Sequence, residues 1–243
     1  FNQLKSCSMS KKALVITGAS RGIGRATAQL FLDDGYRVIN ISRRDPELAG
    51  ISHIAADLSH TDWAQGIAVA LADAVKGVEQ LSVIHSAGLL LKDNIDSVTA
   101  EDLHQVMQVN VIAPAQLNQL LLPSMGAGSS IIYVGSTLSE KAVANSCSYV
   151  TSKHAMVGLM RSNCQDLAGK GIHTVCVCPG FTETEMLSDH VGGSREILDD
   201  IASGVTFNRL IEPSEMARTL KFAAENPVMN GSVMHANLGQ IER

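Results

Sequence analysis

The sequence predicts one α/β domain over residues 11–243, a doubly wound (Rossmann) parallel sheet of about seven strands with helices on both faces. Three observations lead there. Short apolar runs alternate with helical patterns along nearly the whole chain, the order that gives parallel strands joined by helices. The first apolar run breaks into three closely spaced glycines, and later runs also end in small residues. A chain of 243 residues, 45% apolar and 18% charged, is long enough to bury a core beneath both layers of helices.

Residues 13–17 (ALVIT) are the first expected strand. They lead into Gly18-Ala19-Ser20-Arg21-Gly22-Ile23-Gly24 and a helical pattern to Asp34. A glycine turn between strand and helix lets the backbone approach a pyrophosphate and aims helix-terminal N–H groups at it. Gly18, Ser20, Arg21, Gly22, Ile23 and Gly24 are therefore candidate dinucleotide-binding residues, although their G-x-x-x-G-x-G spacing departs from G-x-G-x-x-G. Residues 36–41 form the second strand, followed by Ser42-Arg43-Arg44-Asp45-Pro46. An acidic side chain here would suit the ribose of NAD(H), whereas a cation would suit the 2′-phosphate of NADP(H). Ser42 and Arg43, with Arg21, favour NADP(H), and Asp45 is the one residue arguing for NAD(H).

The third strand, 51–56, ends in Asp57-Leu58, also candidates for the cofactor; Asp57 could contact adenine or simply shape the turn. Ser59 or Thr61 is expected to cap a helix reaching about residue 76. Strand 81–84 runs into His85-Ser86-Ala87-Gly88, where a ribose could lie against the backbone of Ser86, Ala87 and Gly88. His85 reads as a packed strand-end histidine without chemistry. Leu89-Leu90-Leu91 looks pocket-lining. Thr99, with Asp102 after it, opens a helical pattern to about residue 122 that contains Asn110, a poor helix former whose place there implies a bend or a polar task.

Strand 130–135 precedes Ser136, and residues 148–169 form the expected helix carrying Tyr149 and Lys153. At i and i+4 these two share a face. A neighbouring cation stabilises a phenolate, so a phenol with an ordinary pKa of ~10 can exchange its proton nearer neutrality. Ser136 could hold a carbonyl oxygen against that proton. Strand 173–178 ends in Pro179-Gly180-Phe181-Thr182-Glu183-Thr184, a turn able to approach a ring amide. A mobile helical lid is expected at about 181–208, then a helix over 213–225 and a strand over 231–236.

The net charge is -5 with no block of Lys or Arg, which argues against nucleic-acid and membrane partners. Five cysteines, Cys7, Cys147, Cys164, Cys176 and Cys178, lack disulfide-framework or zinc spacing and suggest a reducing, cytoplasmic compartment. Cys176 and Cys178 alternate along one strand, as core packing does. No histidine cluster suggests a metal. Residues 1–10 are expected to be a disordered extension or a cloning remnant, since Met9-Ser-Lys-Lys reads like a natural start.

Taken in order, Thr17-Gly-Ala-Ser-Arg-Gly-Ile-Gly24, Asp57, Ser86-Ala87-Gly88, Asn110, Ser136, Tyr149-x-x-x-Lys153 and Pro179-Gly180-x-x-x-Thr184 resemble the short-chain dehydrogenase/reductase family, from Lys11 to about Gly239. The resemblance implies that Tyr149 is the acid/base and that Ser136 fixes the substrate oxygen. Lys153 would lower the Tyr149 pKa and hold the nicotinamide ribose, and Asn110 would bend its helix and hold a proton-relay water. Thr182 and Thr184, with Pro179 and Gly180, would seat the carboxamide. It also implies a homotetramer or dimer, with the Asn110 and Tyr149 helices between subunits.

Two departures stand out. Ser86 replaces an Asn that ties strands together in relatives, which puts local rigidity in doubt. The Met234-His-Ala-Asn-Leu-Gly-Gln240 ending also differs, and it bears on assembly or the pocket floor. The expected partner is a small carbonyl or alcohol substrate. Phe181-x-Glu-Thr-Glu-Met186 looks like 3-oxoacyl carrier-protein reductases, but the acidic stretch 183–200 offers little for an acyl carrier. A small apolar ketone fits Leu89, Leu90, Leu138, Phe181, Met186 and Phe207 equally well. A dinucleotide-binding sensor without turnover and a nucleotide-sugar epimerase or dehydratase are the other readings.

Overall fold

The structure, a computed structural model, describes residues 10–241. Apart from Ser10, the expected extension over 1–10 lies outside the described residues, as does Cys7. Seven strands run in parallel: β1 Lys12–Thr17, β2 Arg37–Ser42, β3 Ile51–Ala55, β4 Gln80–His85, β5 Ser130–Val134, β6 His173–Pro179 and β7 Val233–Ala236. Their spatial order is β3-β2-β1-β4-β5-β6-β7. The order reverses between β1 and β4, and open α/β sheets bind ligands in the crevice outside the strand ends at such a switch point.

Among the described residues, eight α-helices cover the sheet: α1 Gly22–Asp33, α2 Trp63–Ala74, α3 Ala100–Met107, α4 Ala113–Leu121, α5 Cys147–Asp166, α6 Glu185–His190, α7 Arg195–Ser203 and α8 Pro213–Glu225. Successive strand residues point to opposite faces, so β1 feeds two cores. Leu14 and Ile16 pack with Phe31 of α1 and Met216 and Leu220 of α8. Ala13 and Val15 pack on the other side with Trp63 and Leu71 of α2, Leu117 of α4 and Met156 and Met160 of α5. Both faces are covered, which is why the strands read as apolar runs rather than alternating ones.

The long helix expected from Thr99 to about residue 122 is interrupted. After α3, residues Gln108–Ile112 form a π-turn before α4 begins. The N-terminus of α3 is as expected, with Thr99 Oγ1 accepting from Asp102 N at 3.0 Å. The start of α2 is not. Its N-cap is Asp62, without a side-chain cap bond. Ser59 donates its N–H and O–H to Asp57 Oδ1 at 3.0 and 2.8 Å, and the Thr61 carbonyl accepts from Gln116. Neither residue occupies the N-cap position. The Tyr149 helix ends at Asp166 rather than near Gly169, whose φ of 78° belongs to the following turn. Among the described residues, no helix is long and apolar enough to cross a membrane.

Candidate active site

A cavity of about 490 Å³ lies at the carboxyl ends of the central strands. Its floor is the glycine loop. Gly18 has φ 75°, and a Cβ there would stand 2.8 Å from Ala87 Cα; a Cβ on Gly24 would stand 2.3 Å from the Gly18 carbonyl oxygen. The loop is pinned by Gly18 N–H donating to Ile41 O and Ala19 N–H donating to Asn40 Oδ1, each at 3.0 Å. Helix α1 then starts with neither a side-chain cap nor an acidic residue in its first turn, so its N–H groups remain available to an anion. This close, uncapped cradle fits a dinucleotide pyrophosphate.

At the end of β2 and just past it, Ser42, Arg43 and Arg44 line the same cavity. The Ser42 hydroxyl is engaged internally, accepting from Asn40 Nδ2 at 2.8 Å and donating to Arg44 O at 2.7 Å. Arg43 is exposed and faces Asp57. Burial works against the Asp57 carboxylate, but the Ser59 bonds and the Arg43 charge outweigh it and hold its pKa below the usual value. Leu58 lines the wall beside it. Asp45 is outside the cavity lining; its Oδ1 accepts from Glu47 N at 2.8 Å. Arg21 reaches across to Asp189 of α6 at 3.4 Å.

The β4 end is tied to β1 despite Ser86. Thr17 Oγ1 accepts from both Ser86 N and Ala87 N at 3.1 Å, tying β1 to β4. His85 turns away from the cavity into the core, where it is 1% exposed and its Nε2 meets Asn118 Oδ1 at 2.8 Å.

Ser136, Tyr149 and Lys153 converge on the cavity from β5 and α5. Ser136 Oγ accepts from Leu138 N at 3.1 Å, leaving its own proton to donate elsewhere, while Ser136 N–H donates to Ser139 Oγ at 3.1 Å. Lys153 is 3% exposed, and its ammonium donates to the Val134 carbonyl at 2.7 Å while lying 5.4 Å from the Tyr149 ring centroid. A buried ammonium needs such a partner. Asn110 is fully buried beneath the cavity rather than on its wall. Its amide clasps Leu89 N and O at 2.8 and 2.9 Å and donates to Ser152 Oγ of α5 at 2.9 Å.

At the end of β6 and after it, Pro179, Gly180, Thr182 and Thr184 line the cavity. Gly180 is needed because a Cβ would meet Asn237 Cα at 2.8 Å. Thr182 Oγ1 donates to Gly180 O at 3.1 Å, and Thr184 caps α6 by accepting from Leu187 N at 3.3 Å. Every other sequence-designated cofactor residue also borders this one space: Gly18, Ser20, Arg21, Gly22, Ile23, Gly24, Ser86, Ala87 and Gly88. Leu89, Leu90, Leu138, Phe181 and Met186 do so too. Phe207 does not; it is 65% exposed to solvent.

A family model described as short chain dehydrogenase matches residues 12–192. The chain belongs to the short-chain dehydrogenase/reductase family. It is 28% identical over 232 residues to carbonyl reductase family member 4 of Xenopus laevis, covering 92% of this chain and 95% of that one. An uncharacterized oxidoreductase of Thermotoga maritima is 31% identical over 242 residues, covering 94% of this chain and 96% of that one. Among solved structures, a short chain dehydrogenase from Burkholderia cenocepacia J2315 in complex with NADP superposes with a TM-score of 0.82 at 25% identity, covering 95% of this chain and 98% of that one.

Several residues of this short-chain dehydrogenase/reductase escaped the sequence reading. Ser139 and Thr17 act through hydrogen bonds to Ser136 and Ser86; Ser139 was signalled only by its closeness to Ser136, and Thr17 was read as part of the glycine motif without this task. Asp93 also acts at long range. Its carbonyl accepts from Cys147 N at 3.1 Å and its Oδ1 from Ser148 N at 3.0 Å, capping α5 just ahead of Tyr149. Ser146 supplies no side-chain cap of its own. Gln240 also reaches the cavity, so the unusual carboxyl end contributes to the pocket.

Proposed function

We propose that this chain is an NADP(H)-dependent oxidoreductase interconverting a carbonyl compound and a secondary alcohol. The observation carrying this reading is the convergence of Ser136, Tyr149 and Lys153 on the cavity whose floor is the glycine loop. When bound, the nicotinamide supplies or accepts the hydride. Ser136, with its oxygen already accepting from Leu138 N, donates its proton to the substrate oxygen and fixes it beside Tyr149. Tyr149 gives its phenolic proton to that oxygen in reduction and recovers it in oxidation. Lys153 stabilises the phenolate through its charge and holds the nicotinamide ribose. Asn110 positions the loop at Leu89 and, through Ser152, the helix of Tyr149. Thr182 and Thr184 seat the carboxamide.

NADP(H) is supported over NAD(H) by Arg43 and Arg44 at the cavity edge and by the position of Asp45 outside it. The NADP complex of the Burkholderia relative points the same way. A homo-oligomer and a cytoplasmic location accord with the family resemblance and cysteine usage. The test is oxidation of NADPH, with NADH in parallel, across β-ketoacyl thioesters, diketones, aliphatic ketones and keto sugars. Turnover of one class, abolished by Tyr149→Phe, is the expected result. Tight NADPH binding without turnover of any carbonyl would overturn it.

A further inference from the structure

Beside the main cavity lies a smaller polar recess lined by Lys92, Asp93, Asn94, Ser97, Asn145 and His190. His190, in the last turn of α6, borders both spaces. Through His190 the recess adjoins, as a side arm, the space that holds Tyr149.

A donor and acceptor inventory shows what this arm lacks. Asn94 Oδ1 is saturated by Asp96 N, Ser97 N and Ser97 Oγ at 2.9, 3.1 and 3.1 Å. Asn94 Nδ2 donates to Asn145 Oδ1 at 3.2 Å, which takes up that acceptor and fixes the amide's orientation. Asn145 is held in the left-handed region at φ 60°. The Asp93 carboxylate is 5% exposed; its Oδ1 accepts from the first turn of α5, and its Oδ2 is buried without a hydrogen-bonding partner. A helix N-terminus offsets such a charge. Among the described residues, the Lys92 ammonium, Asn145 Nδ2 and the His190 ring have no hydrogen-bonding partner. Burial and the Lys92 charge both hold the His190 pKa below the ordinary value, favouring a neutral ring that can donate one N–H. Apart from the buried Asp93 Oδ2, the side-chain groups left without a partner here are donors.

We infer that this arm binds the distal carboxylate of an oxo-acid substrate, with Lys92 supplying the charge and Asn145 and His190 supplying hydrogen bonds. The inference rests on the carbonyl-reductase reading for the position of the reacting carbonyl.

The test pairs oxo-carboxylates of increasing chain length with their methyl esters as substrates for wild type and Lys92→Gln. A second readout titrates adipate into the protein and follows the His190 imidazole by NMR, assigned by its loss in His190→Gln. Wild type should show a KM lower by roughly tenfold or more for the acid than for its ester at one chain length, the worth of a charge-assisted bond. Lys92→Gln should erase that preference and the adipate-induced shift. Equal KM values for acid and ester in wild type, or an adipate response that survives Lys92→Gln, would overturn the inference. Ketone reduction without charge preference or adipate response sinks the carboxylate site alone. A Lys92-dependent adipate response without reduction of any carbonyl sinks the reductase reading and leaves the site standing.

Discussion

The Lys153 ammonium is hydrogen-bonded to the Val134 carbonyl, two residues ahead of Ser136, at 2.7 Å. That bond fixes the cation between the end of β5 and the Tyr149 ring, so the strand end that carries Ser136 also places the ammonium beside the phenol. Tyr149→Phe removes the transferable proton without emptying space. Turnover should fall by ~10²–10⁴-fold, the usual worth of a positioned acid/base. NADPH affinity, read by fluorescence titration, should hold. Retention of most turnover would remove Tyr149 from the chemistry.

Arg43→Ala should separate the two cofactors. It removes an exposed cation at the cavity edge, and a hydrogen bond to a charged group contributes roughly 1.5–3 kcal/mol, so NADPH should bind about tenfold or more weakly while NADH changes little. Titration of both dinucleotides checks this. Equal weakening would make Arg43 a surface residue.

Two glycines should respond to alanine in opposite directions. A Cβ on Gly24 would stand 2.3 Å from a backbone oxygen, so Gly24→Ala should cost about 1–3 kcal/mol and impair dinucleotide binding. Gly66, exposed within α2, has nothing within 4 Å of its added Cβ. Gly66→Ala should gain roughly 0.5–1 kcal/mol through helix propensity. Denaturant midpoints of the two variants test both signs.

Acid should destabilise the protein partly through His85. Burial pushes its pKa down to about 4 despite the bond to Asn118, whereas the unfolded value is near the ordinary 6.5. A depressed histidine leaves the unfolded state holding more protons between those values, so stability is full above about pH 6.5 and falls toward pH 4, by about 3 kcal/mol in order of magnitude. Unfolding curves across that interval should show a shallower pH slope for His85→Gln than for wild type. Identical slopes would show that His85 does not titrate in this way.

The strands were legible because both sheet faces are covered, which makes each strand an apolar run closed by small residues. The cavity residues were legible because they sit at those closures. Asn110 signalled a disturbance in its helix, but helix propensity carries no information on whether the chain bends or opens a π-turn. Asp93 could not be read, since its task is to cap a helix 55 positions away and a loop aspartate has many uses. Ser59 and Thr61 were misread because a cap pattern does not fix where the helix starts: Asp62 takes the N-cap position, and the Ser59 hydroxyl turns to Asp57. Phe207 was misread because apolarity alone does not orient a loop residue.

Gly135 stands where any side chain would press on three atoms at once, with Cys176 Sγ at 2.8 Å and Cys178 Sγ and Ser139 Oγ at 2.9 Å from an added Cβ. Both sulfurs are fully buried, 3.9 Å apart, and bonding to Cys178 together with burial pushes the Cys176 thiol up. An oxygen atom added to either sulfur would have to displace Gly135 or Ser139, and Ser136 with them. Peroxide damage at these thiols and loss of the serine's alignment would then be one event, so the tight packing that keeps oxidants out also leaves the site no way to survive one that gets in.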